Sequence, residues 1–107
     1  MILALVLMQA APDAAALLDT RFRATLRDGG QCRVTRSTGN PAIDAVGCRA
    51  IVTCDPQFRS RQQATNDRDI RPEVKRMMRA ALDAERASCI ASERTAGLAA
   101  LAGGTPR

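Results

Sequence analysis

Between Arg21 and Ser37 polar and apolar residues alternate on either side of an Asp-Gly-Gly break, and no other stretch limits the fold as much. Phe22, Ala24 and Leu26 fall on one side, with Arg21, Arg23, Thr25 and Arg27 on the other. This is the period of two that a strand with one buried face requires. Beyond Asp28-Gly29-Gly30 the alternation resumes, with Cys32 and Val34 on one side and Arg33 and Thr35 on the other. Asp-Gly is a tight-hairpin signal because both central residues of the turn must accept positive φ. The stretch reads as a β-hairpin from about Arg21 to Ser37.

The next segment reads as a helix packed on that hairpin. Ser37 to Pro41 breaks the strand, Asn40 suits an N-cap, and Pro41 suits the first helical position, where its missing donor would be orphaned anyway. Asp44 places negative charge in the first turn, where the helix dipole favours it. Ile43, Val46, Ala50 and Ile51 then share a face, Cys54 ends it, and Asp55-Pro56 reads as the stop. Gln57-Phe58-Arg59 reads as a brief third strand, and Arg61 to Asp69 as a polar loop, 61–69. From Ile70 the apolar spacing is helical again, placing Val74, Met77, Met78, Ala81, Leu82 and Cys89 on one core-facing side and Arg79-Asp83 as an i,i+4 pair elsewhere. The divisions are therefore a ββα(β) core over 20–60, a carboxy-terminal amphipathic helix over 70–96 and a flexible tail over 97–107. Asp13 to Asp19 reads as a frayed helical lead-in. The fold class is α+β, a small hairpin or short sheet with a packed helix, then a long helix.

The core of such a domain is thin. Of 107 residues only Phe22 and Phe58 are aromatic, and much of the apolar content is alanine, which loses little apolar surface on burial. Small domains of this kind rely on cross-links, a metal or a partner. With no histidine and no Cys-x-x-Cys spacing, disulfides among Cys32, Cys48, Cys54 and Cys89 are the favoured staple over metal or redox chemistry. Four cysteines permit three pairings, and the sequence does not choose among them. A Cys32–Cys48 bond would fix helix to strand, and Cys54 with Cys89 would then tie the last helix to the core. Disulfides require an oxidising compartment. Residues 1–11 read as a signal peptide, an apolar run from Ile2 to Met8 followed by Ala10 and Ala11, although without a basic amino-terminal region.

Catalysis finds little chemistry to use. Asp44, Asp67, Asp69 and Asp83 have ordinary explanations as caps or ion-pair partners, and Gly29-Gly30 belongs to its turn. No enzyme activity and no cofactor is expected. The formal charge is +5, and all but one of the cationic residues (Lys75) are arginines. They are spread along the chain and interleaved with acids, with Phe22 the one aromatic set between two of them, so they read mostly as solvated faces, and nucleic acid is not an expected partner. The alternative to a protein-interaction module is a small basic exported protein that binds anionic polymers or membrane surfaces through arginine. A secreted enzyme fragment is a distant third.

The order of these segments resembles the carboxy-terminal domain of the TonB energy-transducer family. The matching residues are Asp28-Gly29, then Arg33-Val34-Thr35-Arg36-Ser37-Thr38-Gly39 and Asn40-Pro41-Ala42-Ile43-Asp44-Ala45, with a weaker match at Gln57-Phe58-Arg59-Ser60. They cover about a third of the chain, and the serine-glycine-to-helix junction is the specific part. Some TonB-like proteins also carry cysteines where Cys32 and Cys48 sit. The resemblance implies a periplasmic β-β-α-β module of the Gram-negative envelope. It would bind extended peptide segments by adding them as a strand to a sheet edge. The implied partner is a protein, an outer-membrane receptor segment or another envelope protein, and the implied edge is Gln57, Phe58 and Arg59. The chain lacks a spanning helix, a proline-rich spacer and the family's last strand, so the resemblance implies a truncated or degenerate relative and not an energy transducer. The oligomeric state is left open.

Overall fold

The computed structural model describes residues 13–103, so the segment read as a signal peptide, 1–11, and the last part of the tail, 104–107, lie outside the described residues. In chain order the elements are α1 (Asp13–Thr20), β1 (Arg23–Arg27), β2 (Gln31–Arg36), α2 (Pro41–Ala64) and α3 (Pro72–Gly103). The class is α+β: among the described residues, a two-stranded antiparallel sheet and three helices, the last one long.

The hairpin pairs Leu26 with Cys32, Thr25 with Arg33 and Ala24 with Val34. Between Ala24–Val34 and the next pair, Arg23–Arg36, the register shifts and Thr35 is left as the extra residue of a bulge. Its hydroxyl donates to the Arg23 carbonyl at 3.2 Å. The turn differs from the expectation in one respect. The Gly30 N–H donates to the Arg27 carbonyl, so Asp28 and Gly29 are its central residues, yet positive φ falls on Gly29 (87°) and Gly30 (79°) and not on Asp28. A turn with positive φ at its second central position asks for glycine only there.

α2 opens as expected. Asn40 Oδ1 accepts from the Ala42 N–H at 2.9 Å and the Ile43 N–H at 3.4 Å, and Pro41 fills the first helical position. It does not end at Asp55-Pro56. Helix continues through Pro56 to Ala64, so Gln57-Phe58-Arg59 is helical and not a third strand, and the polar loop is confined to the residues after Ala64. An interior proline costs about 3 kcal/mol through its missing N–H and its clash with the preceding turn. Contacts on both sides of Pro56 offset that cost. Cys54 is fully buried and bonded to Cys89, Phe58 is buried, and the carboxylate of Asp55 accepts from Arg86 and Arg59.

α3 runs antiparallel to α2, as the pairing of Cys54 with Cys89, Asp55 with Arg86 and Gln62 with Asp83 requires. It begins at Pro72 and reaches Gly103, so residues 97–103 are helix and not a flexible tail. Two side-chain expectations for this helix change as well. Val74, Met77 (72% exposed) and Met78 are surface residues and not core, because α2 has ended at Ala64 and no other described element covers that side of the first turns of α3. Arg79 does not pair with Asp83. Its guanidinium donates to Thr65 Oγ1 at 3.1 Å and Asn66 Oδ1 at 2.6 Å, clasping the turn between the two helices.

The core sits where α1 meets α2 and the hairpin, built from Leu18, Phe22, Ile43 and Ile51 with Leu17, Leu26 and Val46 partly buried around them. α1 is therefore an anchored helix and not a frayed lead-in, with Leu18 only 1% exposed. It approaches α2 closely because residue 47 is glycine. A Cβ there would lie 2.7 Å from Phe22 Cε2 and 2.9 Å from Leu18 Cδ2. Val34, on the side of β2 read as buried, is instead exposed where it pairs with Ala24.

Candidate functional site

The two disulfides pair Cys32 with Cys48 and Cys54 with Cys89, with Cα separations of 5.7 and 5.9 Å, and no described cysteine is free. The first ties the inner face of β2 to α2, and the second ties α2 to α3. Both link separate elements of the fold, and the two bonds account for all four cysteines.

Gln57, Phe58 and Arg59, expected as a binding edge, do not form one. Their backbone is inside α2, Phe58 is buried, and Arg61 lies over its ring at 5.3 Å to the centroid. Arg59 reaches Asp55 Oδ2 at 3.2 Å. The free sheet edges are instead those of the hairpin, because among the described residues the sheet contains only β1 and β2, and each therefore leaves its outer edge unpaired.

Sequence reasoning missed the charge on that hairpin. Alternation places Arg23, Thr25 and Arg27 of β1 and Gln31, Arg33 and Thr35 of β2 on the face away from α2, with Arg21 and Arg36 at the open end. All five arginines are exposed. Between residues 20 and 43 they are opposed only by Asp28, so this segment carries +4 of the chain's formal +5. Among the described residues none of the five forms an ion pair, whereas Arg59, Arg61, Arg86 and Arg94 all do. Arg23 and Arg36 stand directly opposite one another across the strands, an arrangement of like charges that costs stability. The signal was present in the sequence: the arginines fall on the polar side of a period-two pattern, so they are far apart along the chain but adjacent on one sheet.

The remaining polar groups serve the scaffold. Asp44 closes the entry to α2: its Oδ1 accepts from the Thr38 N–H at 2.9 Å and the Thr38 hydroxyl at 2.7 Å, and its Oδ2 accepts from the Ser37 hydroxyl. These donors, Ser37 first and then Thr38, hold its carboxyl below the ordinary carboxylate value. A depressed folded pKa contributes stability that is complete above the unfolded value and is lost as pH falls through the folded one. The unfolding midpoint should therefore decline below about pH 4, and Asp44→Asn should flatten that decline. Urea titrations followed by circular dichroism at pH 6, 4 and 3 check this; identical pH slopes for the two proteins would show that Asp44 has no part in it.

Among the clefts that border the helices are two against α3. One, of about 450 Å³, is lined by Arg59, Gln62, Asn66, Arg79 and Asp83, which largely hydrogen-bond among themselves. The other, of about 380 Å³ between α1 and α3, is lined by Leu18, Ile90, Leu98 and Arg94. There Arg94 Nη1 reaches Asp19 at 3.4 Å and its guanidinium lies 5.9 Å from the Phe22 ring centroid, while its buried Nε has no partner among the described residues. Among the described residues no three of His, Cys, Asp and Glu converge as metal ligands, and no helix is long and apolar enough to cross a membrane. No family model, curated protein or solved structure matches the chain.

Proposed function

We propose that the chain is an exported, non-catalytic binding module that takes up an extended protein segment as an added strand on its hairpin. The observation that carries this reading is the two-stranded sheet, whose outer edges are unpaired while its inner face is stapled to α2 through Cys32–Cys48. An unpaired edge presents backbone donors and acceptors in a fixed row, and a rigid support removes much of the ordering cost of pairing with it. The likeness of residues 28–45 to the TonB carboxy-terminal domain supports the same reading, with the hairpin edge in place of the missing third strand. Two disulfides in so small a domain fit an oxidising compartment such as the periplasm.

The test is titration of the oxidised, isotopically labelled protein with a pool of random seven-residue peptides, read by amide shifts and hydrogen exchange. Strand addition predicts perturbation and slowed exchange within β1 and β2. Changes confined to α2 and α3, or none at all, would remove the reading.

A further inference from the structure

We infer that the segment taken up by the hairpin is acidic, with carboxylates at alternate positions that lie over the arginine face. This inference rests on the strand-addition reading and adds the chemistry of the partner. Arg23 and Arg27 lie on the outer face of β1, and Arg33 on that of β2, one strand away. A strand added at either edge continues the pleat, so its residues i, i+2 and i+4 project to the same side as those arginines. From Arg23 to Arg27 the face runs roughly 13 Å, the span of three alternate residues at about 3.3 Å per residue.

Three features of the face select carboxylate on a peptide over other anions. The cations are all guanidinium groups, planar forks that match a carboxylate with two parallel hydrogen bonds, and none is already engaged with an acid of the described chain. No aromatic ring lies on the face, since Phe22 and Phe58 are both buried, so bases of a single-stranded nucleic acid would have nothing to stack on. No large apolar side chain projects there either, because Val34 belongs to the opposite parity, so the face has no wedge to insert into a lipid surface. The facing of Arg23 and Arg36 also gives the partner something to relieve. Like charges held across a strand pair are destabilising alone and become favourable once an anion sits between them.

The experiment uses the oxidised full chain and a capped seven-residue peptide with glutamate at alternate positions and valine or threonine between. Four comparisons accompany it: the same peptide with glutamine for glutamate, the glutamate peptide N-methylated at alternate amides, a sulfated polysaccharide, and vesicles of anionic lipid. The expected result is binding of the glutamate peptide that weakens about tenfold or more on exchange to glutamine, and as much on N-methylation. Arg27→Gln combined with Arg33→Gln should reduce binding by a similar factor while leaving the thermal midpoint unchanged or raised. Equal binding of the glutamine peptide would overturn the acidic selection and leave strand addition standing. Equal binding of the N-methylated peptide, or binding of the polysaccharide or vesicles in preference to the peptide, would overturn strand addition and reassign the arginines to a charge-driven contact. Absence of binding by every probe overturns both.

Discussion

Replacing Cys54 and Cys89 together by alanine is expected to lower the stability of the oxidised protein by about 4 kcal/mol, the chain-entropy value for a separation of 35 residues. For a domain of this size that corresponds to a fall in melting midpoint of roughly 15–30 °C. The loss is large because α3 buries little apolar surface: Leu82 is its one buried residue among those described, and Leu98 packs against the core only partly buried. Its other attachments are polar, Arg86 to Asp55 at 2.6 Å, Arg61 to Glu85 at 3.0 Å and the Arg79 clasp, and partly exposed ion pairs are worth little each. Opening Cys32–Cys48, with a separation of 16, should cost somewhat less, about 3 kcal/mol. Thermal unfolding followed by circular dichroism at 222 nm is the measurement, since the chain has no tryptophan or tyrosine to report by fluorescence. A midpoint within a few degrees of the parent protein would mean that packing alone secures α3.

The second large effect is expected at the contact of Phe22 with α2. Phe22→Ala should cost about 3–5 kcal/mol, the range for emptying an aromatic site in a core. Gly47→Ala should cost about 1–3 kcal/mol by the opposite mechanism, since its new methyl would collide with the Phe22 ring and Leu18. The two changes should not add. In the Phe22→Ala background the ring is gone, so the alanine at position 47 meets only Leu18 and costs less than it does alone. Urea unfolding of the four proteins of this cycle decides the matter. Strict additivity would show that α1 and α2 shift apart freely and that the close approach at Gly47 is not a constraint.

The parts of the fold that were legible in the sequence are those set by short-range rules. The hairpin follows from alternation, the start of α2 from an Asn-Pro cap, and the α+β class from the change of period between Thr35 and Ile43. The candidate site was only half legible. Its arginines could be assigned to the polar side of each strand, but their gathering into one unpaired cluster depends on the register that sets Thr25 opposite Arg33 and Arg23 opposite Arg36. The expected edge at Gln57, Phe58 and Arg59 fails because Pro56 is a stop only by local rules. A proline ends a helix when nothing beyond it repays continuing, and here Phe58 and the Asp55 ion pairs lie on the helical side of that balance.

Local chemistry by itself thus determined where the chain turns, where α2 begins and which hairpin residues point away from the core, because each depends on a few neighbouring φ/ψ preferences. The tertiary structure alone decided which cysteines meet, how far α2 and α3 extend, and that α1 belongs to the core. Those outcomes rest on contacts between residues tens of positions apart, Leu18 against Gly47 and Cys54 against Cys89, whose free energies exceed the local preferences they override. No window of the sequence short enough to show a period contains both partners.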